Sequence, residues 1–590
     1  MEYNEKEFLN AVEEYKKNIK DSKGKSFHIV FDIGNEKAFY SIAPLSRAIH
    51  ELGGDIGVSG IDKKSDALEA LNDVYDVYDK HKKSSKDEKA AALAGFISEV
   101  GKKMGEQFGK LFEKPDYVIE AKTNGFEGSF ILPFRTEWFV KNKAEELLET
   151  CRILWKEVYN LQKNEKVNIG FTLIPIDSML GHPLWHYLDS YAISRSMMLA
   201  IKDGRKLGMS SYSVRDSMLA KSERISELKA TLLGCELCKD ADEEIFRKFK
   251  NVSKLLNLKR FEPVDATFFI SGKGYPGKHL FGEVIGYPSL NGKTRWQTPG
   301  QFIYKLDFYP QTQFDDREPF ARVAFTETLP IDIFIETNKI DWMAMYKRDM
   351  KIRGIVDKCD IIRVIGEKIN GYKTDLEIVM VKPDGERRTV KTSDIDVREK
   401  INSEYLKKTG IKAGTMANIP GGEAFMTPES MKGTFVGDVV ISIDQSYLLS
   451  DKNPLVIETF GDSYKIISGP KDIIEKFEKK KKEAWQNILN QEKHKSLPQE
   501  TIDLKKRNFS RVGEFAINTN PNAKLCDYLI VNEKIANMIH IALGSGFEPD
   551  RASEYHTDIV INCPRQKLDI YGIGRDKKEH WVIKKGKFVV

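Results

Sequence analysis

At 590 residues the chain has room for several hydrophobic cores at roughly 100 to 200 residues per domain, which excludes a small binding module. Lysine and arginine number 93 against 88 aspartates and glutamates, so the net charge of +5 makes no electrostatic case for a nucleic-acid partner. Six scattered cysteines exclude the disulfide framework of a secreted protein, and no apolar run approaches the ~18 residues of a membrane span, so the expectation is a soluble, cytoplasmic protein with no membrane partner.

The opening segment MEYNEKEFLNAVEEYKKNIK is charged and helix-patterned and lacks the apolar centre of a targeting signal. Next, the apolar run Phe27 to Ile33 precedes a helical pattern through Ala43 to Leu52 that Gly53 and Gly54 stop, which reads as a β-α unit. Residues 63–113 shift to Lys, Asp, Glu and Ala with thin apolar stripes, the pattern of a charged helical insertion. Tyr117 to Ala121 and Phe130 to Phe134 read as strands, Lys141 to Asn164 as a long amphipathic helix, Val167 to Ile174 as a buried strand, and Ile193 to Leu207 and Tyr212 to Leu233 as helices. Strands alternating with helices imply an α/β layer.

Two motifs in this half carry no chemistry. Cys235 and Cys238 have the CxxC spacing, but no second Cys or His pair lies near to complete a tetrahedral zinc site. Gly272 to Gly277 matches GxGxxG after the strand-like Asp265 to Ser271, yet the dinucleotide fingerprint needs its last glycine to open a helix, and Pro276, Gly282, Gly286 and Pro288 prevent one.

Phe302 to Glu336 is β-like, Asp341 to Val356 helical, and Asp360 to Ile365 a strand. Strands and turns then dominate, including Leu376 to Val381 and Gly437 to Ile443, with one long helix around Lys471 to Gln491 whose run Lys479 to Lys482 reads as a solvated face. The composition change places a boundary near residue 355. Residues 1–354 are expected to form an α/β N-terminal domain with helical insertions, and 355–590 a β-rich α+β catalytic domain that binds metal.

That second region holds the chemistry. In the strand pattern Tyr555 to Ile561, His556 and Asp558 are two apart and project from the same face. Glu533 and His540 are seven apart, so a helix over Asn532 to Ile539 would put them two turns apart on one face. A lone histidine on an apolar strand is commonly a core residue, but two of the chain's ten histidines fall in this stretch, each beside an acid. Imidazole with carboxylate and no thiolate suits zinc, manganese, cobalt or non-haem iron. Glu423, in Asn418 to Pro428, and Glu514, in Val512 to Pro521, lie among apolar and glycine residues, where an acid is costly to bury without a compensating cation.

The segments NIPGGEAF, VGEFAINTNP, NEKIANMIHIALG and SEYHTDIVI, with Thr374-Asp375-Leu376 upstream, resemble in their order the aminopeptidase T family of dinuclear metallo-aminopeptidases, from about Asp341 to the C-terminus. Residues 1–340 show no comparable match. The resemblance implies metal ligands at Glu423, Glu514, Glu533, His540, His556 and Asp558, with Glu514 as the bridge between two divalent ions of zinc, cobalt or manganese. The four carboxylates among these equal the charge of two divalent cations. The implied reaction is hydrolysis of the N-terminal bond of peptide substrates, with a carboxylate moving the proton, in a homodimer.

One position departs from the family. Where it has a tyrosine thought to assist catalysis, this chain has Phe547, which cannot donate a hydrogen bond, and Tyr555 or Arg551 is left to supply the donor. Glu423, Glu514 and Tyr555 are accordingly the candidate catalytic residues. Two other readings stay open: a mononuclear non-haem iron ring-cleaving dioxygenase using His540, His556 and Asp558, in which Glu423 and Glu514 are surplus, and a binding protein retaining a catalytically dead site.

Overall fold

The structure is a computed structural model that describes residues 5–19, 22–32, 36–61, 116–122, 125–128, 144–161, 167–173, 186–201, 207–213, 266–271, 285–288, 294–297, 322–327, 329–392, 416–493, 499–546 and 548–590. The insertion 63–113, the strand expected at Phe130 to Phe134, the CxxC pair, the GxGxxG segment and Phe547 lie outside the described residues. The chain divides into two compact units, Met1–Ile335 with Asp396–Met416, and Glu336–Ile395 with Ala417–Val590. The division precedes residue 355 because the helix Trp342–Val356 belongs to the second unit, where its fully buried Asp349 accepts a 2.6 Å hydrogen bond from Thr519 Oγ1.

In the first unit the strands are β1 (Ser26–Asp32), β2 (Asp55–Ile61), β3 (Tyr117–Lys122), β4 (Gly125–Gly128), β5 (Val167–Leu173), β6 (Leu207–Ser213), β7 (Ala266–Ser271), β8 (Ile285–Pro288), β9 (Thr294–Gln297) and β10 (Arg322–Glu327). One mixed sheet runs β10-β7-β5-β6-β2-β1-β3-β4, with β8 and β9 paired separately. The parallel pairs β1/β2, β1/β3, β5/β6, β5/β7 and β7/β10 are those of an α/β layer, while β2/β6 is antiparallel. The helix Glu5–Asn18 buries Phe8, Val12 and Tyr15, a spacing of three to four that lines one helical face.

Two expected helices change, and of the one expected over Tyr212 to Leu233 only Tyr212 and Ser213 lie among the described residues. The one over Lys141 to Asn164 occupies Ala144–Ile153 and passes into π-helical geometry at Leu154–Val158. The one expected to reach Leu207 spans His186–Leu199, and Leu207 and Tyr212 lie in β6, where pairing with both β2 and β5 outweighs a helix-like local pattern. Conversely, the β-like reading of Phe302 to Glu336 holds for β10, but Ile331–Asn338 is a helix. Pro330 precedes its start, and Ile331, Phe334 and Ile335 are buried at helical spacing.

The second unit opens on the helix Trp342–Val356, capped by Asp341, which accepts from Ala344 N at 2.8 Å. Its strands are β11 (Cys359–Ile369), β12 (Tyr372–Val379), β13 (Lys391–Thr392), β14 (Met416–Asn418), which straddles the division, β15 (Glu423–Met426), β16 (Ser430–Gly437), β17 (Val440–Ser442) and β18 (Ser446–Leu448). After β19 (Leu455–Gly461) and β20 (Tyr464–Ser468) come the helices Lys471–Lys493 and Gln499–Asn508. The chain closes with β21 (Val512–Asn518), β22 (Met538–Gly544), β23 (His556–Asn562), β24 (Asp569–Gly574), β25 (Glu579–Lys584) and β26 (Lys587–Phe588).

Apart from β14, these form an eight-stranded sheet, β20-β19-β16-β12-β11-β24-β25-β26, and a seven-stranded sheet, β13-β15-β21-β22-β23-β17-β18. Ile559 of the second sheet reaches Gly437 of the first so closely that a Cβ there would collide with it. Ile539, Ile541, Leu543, Ile559 and Ile561 are all fully buried on the face opposite the site described below. The unit is thus an α+β body built on large antiparallel sheets. Among the described residues no helix is long and apolar enough to cross a membrane.

The lysine run on the helix Lys471–Lys493 is only partly a solvated face. Lys480 turns inward, and its ammonium donates to Ile443 O (2.7 Å), His556 O (3.0 Å) and Thr557 Oγ1 (2.9 Å). Burial pulls its pKa down to about 8 against the opposing effect of Asp558 and Asp444.

Candidate metal centre

Strand register assembles the site. In the antiparallel ladder Glu423 lies opposite Asn518, Ala516 opposite His540, Glu514 opposite Ala542, Ala542 opposite Asp558 and Gly544 opposite His556. Facing residues in such a ladder project to the same side, and residues two apart on one strand do too. Glu423, Glu514, His540, His556 and Asp558 therefore share one face of the seven-stranded sheet, with Ala516, Ala542 and Gly544 leaving space between them. Single ligand atoms of Glu423, Glu514 and His540 all lie within 4.8 Å of one another.

The local backbone at two of these acids requires glycine. Gly422 has φ +117°, and a Cβ there would sit 2.7 Å from the Asn520 nitrogen. Gly513 abuts the Ser545 carbonyl at the irregularity in register between Val512 and Glu514. Close backbone contact at these points sets where Glu423 and Glu514 leave the sheet.

Both imidazoles are anchored through one nitrogen and offer the other. His556 Nδ1 donates to the Ser545 carbonyl at 2.7 Å, which leaves Nε2, 3.1 Å from Asp558 Oδ1. His540 Nδ1 is 2.9 Å from Asn518 Oδ1, and its Nε2 is 3.1 Å from Glu514 Oε1 and 3.7 Å from Glu423 Oε2. Burial opposes a charge on His540, but the carboxylates of Glu514 and Glu423 overcome it and raise its pKa to about 9. His556 is likewise raised against burial by Asp558, whose own carboxyl is held far below the usual range by His556 and His540 despite its burial.

Glu533 arrives by a different route from the one expected. The helix Leu529–Asn532 ends at it, and Met538–Gly544 is a strand, so Glu533 and His540 do not share a helical face. Asn537, at φ 60°, turns the chain between them. Glu533 nonetheless reaches the cluster, interacting with Asp558 and His540, and burial pushes its pKa up to about 8.

Sequence reasoning missed Lys534, Asn518 and Ser545. The Lys534 side chain is wholly buried, and its Nζ lies 2.7 Å from Glu423 Oε1 and 3.2 Å from Glu533 Oε2. Although burial works against its charge, these acids raise its pKa above the ordinary value. The charge equality read from the sequence consequently fails: four carboxylates and one ammonium carry minus three, so two divalent ions leave the centre one positive charge and one ion leaves it one negative charge. A lysine beside an acid in a largely apolar segment, IVNEKIA at Ile530 to Ala536, is a readable signal only in part, since Lys side chains usually reach solvent from such positions.

The candidate donors that were to replace the family tyrosine face elsewhere. Tyr555 is buried, donates to Phe509 O at 2.7 Å, lies 2.6 Å from Tyr464 Oη and packs edge-on against Phe477 and Phe509, so its hydroxyl is not offered to the acid-imidazole face. Its place in the catalytic set is corrected on that ground. Arg551 bonds to Glu429 O and Oε2 in a network that joins Arg388 to Glu429, Glu548 and Asp550.

The residues fit a divalent cation. Among the described residues Glu423 Oε2 is a buried carboxylate oxygen with no hydrogen-bond partner, and the buried Asp558 Oδ1 is faced by His556 Nε2 at 3.1 Å; buried carboxylates are costly unless a positive charge meets them. With two imidazole nitrogens beside them, the donor set is the nitrogen and oxygen mixture of a zinc, cobalt or manganese site. Glu423, Glu514 and His540 define a carboxylate–imidazole centre on a β-rich α+β unit. No family model and no curated protein matches this chain. Among solved structures the chain is similar to wild-type AmpT from Thermus thermophilus, at 12% identity and a TM-score of 0.39, over 76% of this chain and 100% of that one.

Proposed function

We propose that the chain is a metal-dependent aminopeptidase that hydrolyses N-terminal residues from peptides at a dinuclear centre held by Glu423, Glu514, Glu533, His540, His556 and Asp558. The observation that carries this reading is the convergence of five of those side chains on one sheet face, with the buried Oε2 of Glu423 left without a hydrogen-bond partner among the described residues. The choice of a peptide substrate is supported by the ordered segments that resemble the aminopeptidase T family. Paired divalent ions supply activation of water and polarisation of a carbonyl.

The chain's own residues do the rest. Asn518 and the Ser545 carbonyl hold the imidazoles in the orientation that presents Nε2, a second layer of contacts that fixes ligand geometry. Glu514, bonded among the described residues only through Oε1 to His540, keeps Oε2 free, and a carboxylate of the cluster takes a proton from water and returns it to the departing amine. Ala516 and Ala542 leave the room in which substrate sits. A homodimer belongs to the same reading.

The test is metal analysis of protein reconstituted with zinc, cobalt or manganese, paired with hydrolysis of aminoacyl amides. Two ions per chain and release of the amino acid are expected. One iron with oxygen-dependent ring cleavage would replace this reading by the dioxygenase, and failure to take up any divalent ion would leave a binding protein with a dead site.

A further inference from the structure

Lys534 is not among the ligands, yet it touches two of them. Its ammonium bonds Glu423 through Oε1 and Glu533 through Oε2, and it is itself sealed from solvent. The other oxygen of Glu423, Oε2, points at His540 Nε2 from 3.7 Å and has no hydrogen bond. Glu514 has no such partner, since among the described residues its only hydrogen bond is through Oε1 to His540.

We propose that Lys534 is a positioning residue that fixes how many oxygens each acid gives to an ion: it makes Glu423 and Glu533 single-oxygen ligands and leaves Glu514, with neither oxygen held by an ammonium, as the acid that bridges. The inference rests on the metal-centre reading above and adds to it the origin of the unequal roles of three chemically similar acids. One physical fact drives it: an ammonium has only donors, so it can hold a carboxylate or amide only by its oxygen.

The lock makes an unusual prediction for Glu423→Gln. Lys534 would claim the amide oxygen and turn the NH2 group toward the ion, so Glu423→Gln and Glu423→Ala should bind cobalt(II) equally weakly. In a Lys534→Met background the amide is free to rotate, and Glu423→Gln should bind cobalt(II) about tenfold more tightly than Glu423→Ala in that background. Equilibrium dialysis of the full chain against cobalt(II) measures both differences without any assay of turnover. The visible absorption of the cobalt(II) protein adds a second reading: Lys534→Met frees Glu423 Oε1, which raises the coordination number and weakens the bands.

If Glu423→Gln already exceeds Glu423→Ala clearly while Lys534 is present, the proposal is overturned, and that comparison stands even if Lys534→Met does not fold. A folded Lys534→Met protein with the cobalt(II) spectrum of the unaltered chain would overturn it as well, while leaving the metal centre intact. If the unaltered chain takes up no cobalt(II), the metal-centre reading fails first and this inference falls with it.

Discussion

His540 and His556 present the same nitrogen and differ in what stands behind them, a side-chain amide for one and a backbone carbonyl for the other. Truncating Asn518 should therefore loosen His540 alone: Asn518→Ala is expected to weaken zinc affinity by about 10 to 100-fold, measured by competition with a chromophoric chelator, as for loss of an outer contact to a ligand. Without metal, Nε2 of His540 carries a proton that an ion must displace, because its pKa stands at about 9. Zinc loading at pH 7 should release protons, detectable with an indicator dye, and this release should vanish once the pH exceeds about 10. The same shift has a stability consequence of definite sign. The pKa is raised from the ordinary 6.5, so protonated His540 stabilises the metal-free fold fully below that value, and the contribution is lost as pH rises through about 9. The melting temperature of metal-free protein should fall between pH 7 and 10, and more steeply than that of zinc-loaded protein.

What was legible at the residue scale were polar groups stranded in apolar strands, such as His540 in MIHIALG and Asp558 in HTDIVI. Lys534 and Asn518 were not, because a lysine and an asparagine become informative only when their neighbours in space are known. Tyr555 shows the opposite failure: it adjoins His556 in sequence, and alternation along an extended chain sends it into the aromatic cluster of Phe477 and Phe509.

At the scale of elements, turn and strand geometry matter more than helix propensity. The segment Asn532 to Ile539 has helix-compatible spacing, but Met538 to Gly544 is held between β21 and β23 as the central strand of the ligand face. Alternation, not a period of 3.6, is what aligns His540 with its partners. The glycine before Glu423 is a sharper constraint than any of these. Gly422→Ala would force a Cβ to within 2.7 Å of the Asn520 nitrogen and 2.8 Å of Met345 Sδ at a backbone angle unsuited to L residues. It should cost on the order of 1 to 3 kcal/mol in urea unfolding and lower zinc affinity, whereas Gly354→Ala, with open space around it, should change neither.

For the whole molecule, the composition change near residue 355 does not disclose that the helix Trp342–Val356 belongs to the second compact unit. Its place there includes Asp349 meeting Thr519, a contact between residues distant in sequence that no local pattern announces. A fragment comprising 336–590 should take up zinc and unfold cooperatively. A fragment starting at 355 lacks Asp349 and the capped helix, and should show a broadened transition and reduced zinc uptake by calorimetry and dialysis.

The single-faced distribution of ligands has a consequence for how this unit reaches its native state. Displacing β22 by one residue against β21 would swap His540 for Ile539 or Ile541 and bury an imidazole in the greasy layer on the far side. An ion held by Glu423, Glu514 and His540 together would thus discriminate between correct and slipped pairings of the sheet, acting as an inspector of assembly. Refolding in the presence of zinc should raise the yield of native protein over refolding in chelator followed by later addition of zinc, with the difference marking chains that had settled into the wrong alignment.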